Sequence, residues 1–268
     1  MEKCVIGKVL KNTDIDVNYN FLNDNTENEA KYDPDQSSKT LLYYHQKLWS
    51  KEENNIKLDF EIKIDDWNNK SLILVNKYAT EENQKIFSSD WIINDYQHWD
   101  RNKWSNLKYL DSINSNTLKD FNNIANTIGG RIIFPKRQID GKKNTINTHR
   151  GTHTQICDRF DITLECIRRF FCGIESIPDF DDTLKRYDFF FKLFGSSNNG
   201  FENYCNFFLL QDLVSDDYKE IKYFIRFNGF INNPFPKCEE TYMEFIEKTT
   251  EFIKKRNVRI KEWVENNK

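Results

Sequence analysis

The segment from Thr127 to Phe171, TIGGRIIFPKRQIDGKKNTINTHRGTHTQICDRFDITLECIRRFF, limits what this 268-residue chain can fold into more than any other stretch. It starts with the only Gly-Gly pair, runs into β-branched residues, and ends in an apolar stripe at helical spacing. Arg131 to Phe134 reads as a short strand that Pro135 closes, because proline has no N–H for the ladder. Ile156, Phe160, Leu164, Ile167 and Phe171 recur every three or four residues, which predicts one helix from Gln155 onward with Gly173 as its stop. Six arginines and two histidines ride on these same elements. Charge and burial must be reconciled in one place.

The flanking sequence supplies the other layers. Thr40 to Ser50 predicts a short helix with Ser37 or Ser38 near its cap, and His45, set among aromatics, reads as hydrogen-bonded at the edge of the core. Leu58, Phe60, Ile62 and Ile64 alternate with polar residues, Leu72 and Leu74 follow with Ile73 and Val75 between and after them, and Asn68-Asn69-Lys70 separates the two runs, the pattern of a hairpin-like strand pair. Phe87 to Trp104 suggests a helix capped by Ser88 or Ser89 and carrying Trp91, Ile92, Tyr96 and Trp99. Further helices are expected at Leu184–Phe194, at Phe201–Val214 and, as the longest, at Glu239–Asn266; Tyr223–Phe230 reads as a strand. The fold class is α+β, with a small, mostly antiparallel sheet packed against a predominantly helical C-terminal half. Residues 1–40, polar and rich in Asn and Asp, form an arm draped on one integrated domain, 41–268.

Composition removes several function classes. With 39 basic and 42 acidic residues the net charge is −3, so no global field favours nucleic acid or an anionic membrane. No apolar run approaches the ~20 residues that span a bilayer, and MEKCVIGKVL lacks the apolar core of a signal peptide. The six cysteines show no paired spacing and read as reduced thiols of a cytoplasmic protein. P-loop, dinucleotide and hydrolase-elbow motifs are missing, so no cofactor is expected.

The charged helix offers two readings. Asp158, Asp161 and Glu165 fall on one helical edge, Arg159 and Arg169 flank it, and Glu165 precedes Arg169 by the four residues that favour an ion pair. Arg150 lies just ahead, where free N–H groups attract an anion, while Arg131 and Arg137 approach from strand and loop. One reading is a phosphate or carboxylate pocket with Arg131, Arg150, Arg159 and Arg169 on the anion and Glu165, Asp161 or His149 as proton acceptor. The other is a salt-bridge network that orients the helix. His149 and His153 have a metal-ligand spacing but lack the following glutamate of zinc proteases, so they read as capping or surface residues and no metal is expected. Arg256 and Arg259 read as a basic patch, blunted by the acidic residues of the same helix.

YHQKLW at 44–49, SSD at 88–90, IIFP at 132–135, INTHRG at 146–151 and DRFDITLECIRRFF at 158–171 form an ordered series. LKRYDFFFKLF at 184–194, FFLLQDLV at 207–214 and RNVRI at 256–260 continue it. The series resembles a bacterial and phage family of uncharacterised domains. The resemblance implies a single integrated domain and a cytosolic setting, and marks Arg131, Arg150, Asp158, Arg159, Asp161, Glu165, Arg168 and Arg169 for attention. The expected function is macromolecular binding in phage–bacterium conflict, as an inhibitor or defence component with a protein partner. Arginine and aromatics such as Trp91, Tyr96, Trp99 and Trp104 would supply the anchors. The alternative is a toxin-like enzyme that acts on a nucleotide or nucleic-acid phosphate through Arg150, Arg159 and Glu165. A self-associating scaffold is a third reading.

Overall fold

Side chains that alternate at a period of two must face one layer, and Phe60, Leu72, Leu74 and Phe87 do so beneath a helix. A computed structural model describes residues 14–24, 33–64, 70–75, 85–136 and 144–267. Strand β1 (Phe60–Ile64) pairs antiparallel with β2 (Lys70–Leu74), Phe60 opposite Leu74 and Ile62 opposite Leu72. The expected strand pair is therefore present, while residues 65–69 lie outside the described residues. Strands β3 (Ile86–Trp91) and β4 (Arg131–Pro135) complete an antiparallel sheet of order β1-β2-β3-β4. Helix α1 (Lys39–Trp49) packs on it, its first turn capped by Ser38 Oγ, which accepts the Leu41 N–H at 2.9 Å.

Helices dominate the remainder of the chain: α2 (Ser115–Ala125), α3 (Ile146–Thr152), α4 (Phe160–Cys172), α5 (Pro178–Arg186), α6 (Ser197–Phe207) and α7 (Glu239–Asn266). The architecture is α+β, as the sequence predicts. Helix α4 packs on α6, and α7 packs on α2 and on the Ile128–Gly130 turn. Phe190, Phe194, Tyr204 and Phe208 form an aromatic centre with ring centroids 5.0–6.4 Å apart, in mostly edge-on and tilted pairs. Among the described residues no helix is long and apolar enough to cross a membrane.

The Gly-Gly pair owes its place to close approach rather than to a turn. A Cβ on Gly129 would lie 2.6 Å from the Ile253 carbonyl and from Asn257 Oδ1, and one on Gly130 would lie 2.2 Å from the Ala125 carbonyl. Helix α7 can press onto the start of β4 only where side chains are missing. Gly173 is the opposite case: it ends α4 at φ 68° with open space around it.

Several elements depart from the sequence reading, each because a tertiary demand overrides local pattern. Residues 86–91 form β3, not a helix, because they pair with β4 along its whole length. The chain then turns at Tyr96 (φ 59°), whose hydroxyl donates to the Cys157 carbonyl at 3.0 Å. Helix α4 begins at Phe160, since Cys157 and Asp158 hold φ of 49° and 59°. The run 184–194 breaks after Arg186 into shorter turns, and 201–214 stops being α-helical at Phe207, two residues before Leu209 (φ 56°). Residues 223–230 form no strand, and only a single Val214–Ile221 bridge precedes them. The N-terminal arm is packed where it is described: Phe21 is fully buried and donates its N–H to the Asn126 carbonyl at 3.0 Å.

Space and conformation should separate in mutants. Gly129→Ala is expected to lose about 2–3 kcal/mol in urea unfolding, from overpacking against α7. Gly173→Ala should lose only about 1 kcal/mol, from its left-handed backbone. Equal losses would remove the close-approach account.

Candidate functional site

Arg150 lies in the last turn of α3 and turns its guanidinium inward, fully buried. Its Nη1 donates to Asp90 Oδ2 at 2.7 Å and lies 2.6 Å from Asp158 Oδ1; its Nη2 donates to the Asp158 carbonyl at 3.0 Å. Nε reaches Thr163 Oγ1 at 3.2 Å on α4. Two carboxylates thus share one fully buried guanidinium, with Asp158 at the partly exposed edge of the cluster. Burial pushes the Asp90 carboxyl up to about 7, with Asp158 and Asp35 adding to the rise and Arg150 opposing it. Asp158 reaches this cluster through its left-handed backbone, and Asn94 Nδ2 donates to its other oxygen at 2.8 Å.

Arg131 on β4 is equally buried. It donates to Asp35 Oδ2 at 2.7 Å and to Asn126 Oδ1 at 2.6 Å, with its guanidinium 4.9 Å from the Trp91 ring. Arg159, the residue just before α4, grips Asp161 with Nε (3.1 Å to Oδ1) and Nη2, then donates to the carbonyls of Pro234 at 2.8 Å and Ile225 at 2.9 Å. Asp161 also accepts the Phe224 N–H at 3.0 Å. The pair therefore clamps the irregular 224–235 segment onto α4, and neither member is open to solvent. Glu165, also buried, accepts Arg168 Nε at 2.7 Å, Arg168 Nη2 at 2.9 Å and Arg169 Nε at 2.7 Å.

The marked residues are thus distributed over four separate ion-pair groups: Arg131 with Asp35, Arg150 with Asp90 and Asp158, Arg159 with Asp161, and Glu165 with Arg168 and Arg169. Asp158 does not share a helical edge with Asp161 and Glu165, because it precedes α4. Arg137 lies outside the described residues. Arg256 belongs to no surface patch: it is fully buried on α7 and donates to the carbonyls of Phe208 (3.0 Å), Gly129 (2.9 Å) and Arg131 (2.6 Å). With no carboxylate beside it, burial lowers its pKa to about 9.

A separate group forms where α3 meets α5. His149 Nε2 is 3.6 Å from Asp179 Oδ2, and His153 Nε2 is 3.1 Å from Asp179 Oδ1. His149 Nδ1 pairs with Thr183 Oγ1 at 2.8 Å. These three side chains are the arrangement among the described residues that could hold a metal ion. The spacing of the two histidines is visible in the sequence; Asp179 is not, although Pro178 ahead of an acidic first turn marks a helix start there.

One further polar group anchors the interior. His45 is buried between Trp49 Nε1, which donates to its Nδ1 at 2.9 Å, and Ser89 Oγ, 3.0 Å from its Nε2. It lies deeper than the core edge that its sequence context suggests. Burial holds this imidazole well below its usual pKa, and the charges of Arg256 and Arg131 lower it further. It is a neutral structural group. Asp90 escapes sequence reasoning as a partner of Arg150; it closes the SSD triplet, so the motif series holds the only local hint of it.

Fold and site together define an α+β domain whose helical half is tied to an antiparallel sheet by interior arginines. The chain belongs to a family of unknown function, DUF6994, whose family model matches residues 15–260. No curated protein and no solved structure matches it.

Two measurements test this geometry. Arg159→Leu leaves Asp161 buried and unpaired, so a loss of about 3–5 kcal/mol in denaturant unfolding is expected; Asp161→Asn with Arg159→Leu should restore part of it. Asp90 has a folded pKa of about 7, raised above the unfolded carboxyl value of 3.8. The folded state therefore keeps a proton that the unfolded chain has released, and its stabilising effect fades as pH rises from about 4 to about 7. Asp90→Asn should flatten the stability–pH profile in that window, and an unchanged slope would place the proton elsewhere.

Proposed function

We propose that this chain is a macromolecular-binding protein that takes a protein partner on the surface built from residues 223–237. The interior arginines serve as its frame. The observation that carries this reading is an aromatic ladder with an open apolar neighbour. Tyr223 stacks on Phe227 at 4.6 Å, Phe227 meets Phe230 edge-on at 5.0 Å, and the Arg169 guanidinium lies 5.0 Å from the Phe230 ring. Beside them Ile231 is 56% exposed, the largest exposure among the big apolar residues described. A shallow groove of about 230 Å³ runs along this segment, lined by Arg226, Phe227, Ile231, Pro234, Thr241 and Glu244.

Aromatic rings held rigid by neighbours, with arginine at the rim, are the side chains that carry most binding energy at protein interfaces. Arg226 and Lys237 on the rim are exposed and favour acidic groups on the partner. Their backing is firm, because the Arg159–Asp161 clamp fixes 224, 225 and 234 from below. The phage–bacterium setting of the proposal comes with the family resemblance; the surface comes with the fold. The alternative of phosphate chemistry through Arg150, Arg159 and Glu165 would need three buried groups that are each taken up by other partners in separate clusters, so binding is the favoured reading.

The test is a comparison of two exposed positions. The native chain is used to isolate a partner, and the complex is confirmed as stoichiometric by sedimentation of the purified components. Ile231→Asp should weaken that complex at least tenfold while leaving the unfolding midpoint within about 0.5 kcal/mol of native. Val258→Asp, at a similarly exposed site on α7, should leave it intact. A complex indifferent to Ile231→Asp, or a chain that engages only small anions, would overturn the proposal.

A further inference from the structure

We propose that His149, His153 and Asp179 form a site for one divalent transition-metal ion, independent of the binding surface above. The ligating atoms of all three lie within 4.8 Å of one another. Donors that sit about 2.0–2.1 Å from a zinc-like ion stand roughly 3–3.5 Å apart from each other. The observed 3.6 Å and 3.1 Å from the two Nε2 atoms to the Asp179 oxygens are close to that spacing before any ion is added. Two imidazoles and one carboxylate suit zinc, cobalt, nickel, iron or manganese better than calcium or magnesium, which want an all-oxygen set.

The surroundings orient the first ligand. Thr183 gives its hydroxyl proton to the Asp179 carbonyl at 3.2 Å and accepts Arg186 Nη2 at 2.9 Å. Its oxygen is therefore left to accept from His149 Nδ1 at 2.8 Å. That fixes the proton of His149 on Nδ1 and leaves the Nε2 lone pair facing Asp179, the arrangement by which a neighbouring oxygen commonly orients a metal-bound histidine. The cluster is graded from inside to outside: His149 is buried, His153 half-buried, and the Asp179 side chain 66% exposed. An ion would take three protein ligands from one side and water from the other.

His153 supplies a distinctive signature. Its Nδ1 now accepts the Gln155 N–H at 3.1 Å, so its Nε2 carries the ring proton and donates it to Asp179. Ligation through Nε2 requires the proton to leave that atom and the ring to be protonated at Nδ1 instead. No net proton is released from the neutral ring, but the Gln155 N–H loses its acceptor. Gln155 is half-buried, so water can replace the lost partner.

The experiment uses the full chain stripped with chelator, titrated with Co(II) by visible absorption and with Zn(II) by calorimetry. One equivalent of either ion should saturate the site, and the Gln155 amide resonance should shift with Zn(II) but not with Mg(II). Asp179→Asn at an exposed position and His153→Gln at a half-buried one should weaken binding more than tenfold while each variant retains a native spectrum. If His149→Ala fails to fold because that residue is buried, these two variants still decide the matter. Cys238→Ser should leave affinity unchanged, since the thiol of Cys238 is the exposed competitor among the described cysteines. Absence of saturable binding, binding retained in both Asp179→Asn and His153→Gln, or binding lost in Cys238→Ser would each overturn the proposal.

Discussion

A guanidinium group removed from water cannot shed its proton cheaply, so the protein around it must meet its donors with oxygen. Four such groups, on Arg131, Arg150, Arg159 and Arg256, are buried almost completely, and most of the tertiary structure is arranged around their demands. Arg150 joins α3 to β3 and to the start of α4. Arg131 joins β4 to the helical turn at Pro34–Ser37. Arg159 joins α4 to the 224–235 segment, and Arg256 joins α7 to the start of β4 and the end of α6. Apart from the local contact of Arg150 with the start of α4, these links cross between elements far apart in sequence and so also fix a topology. Apolar packing supplies the bulk of the driving force, but apolar contacts alone would tolerate sliding that these forked bonds do not.

The four are met in different ways, and the difference matters for charge. Arg159 has one dedicated carboxylate, which balances it. Arg150 has two, so its cluster would hold an excess negative charge in the interior if both were ionised; a retained proton on Asp90 relieves that excess. Arg256 has none and relies on three backbone carbonyls from two segments, which costs it some of its hold on the proton. One of those carbonyls belongs to Arg131 on β4, the last strand of the sheet in order. An end strand buried on both faces needs its free backbone groups covered, and a fixed cation on a long helix does that for part of it. The neutral His45 nearby is consistent with the same positive surroundings.

What the sequence discloses is governed by range. Helix α7 can be read almost to the residue because its stripe repeats over 28 residues, and the β1–β2 pair because alternation and polar turn residues agree. The short strand at 131–135 is equally plain from its β-branched run and proline. By contrast, residues 87–99 carry helix-like spacing of Ile92, Tyr96 and Trp99, and only pairing with β2 on one side and with β4, about forty residues away, on the other makes 86–91 a strand. Residues 223–230 look like a strand by aromatic content, yet they pair with no neighbouring strand, and the Phe224 N–H goes to Asp161 instead. Asp158 falls on the helical edge by spacing and off it in the fold, because nothing local announces a left-handed aspartate. The identity of the charged residues is legible; their partners, 60 or more positions distant in the cases of Asp90 with Arg150 and Phe224 with Asp161, are not.

The turn between α3 and α4 connects the His149–His153–Asp179 cluster to the aromatic ladder at 223–230. The Asn233 N–H donates to the Thr154 carbonyl at 2.6 Å, and Gln155 Nε2 donates to the Phe230 carbonyl at 2.6 Å. These bonds place the backbone beside Ile231 one residue away from His153. Any group that draws the His153 ring toward Asp179 pulls on a turn whose other hydrogen bonds position the aromatic ladder. Coupling between an ion on one side and a partner on the other would therefore need no long pathway, only the rigidity of residues 153–155. Energetically the coupling is bounded by the few bonds involved, each worth about 1 kcal/mol, so it could tune binding by roughly tenfold but could not switch it completely. The interior arginines set that bound, because Arg159 holds the far end of the same segment and prevents the ladder from following the turn freely.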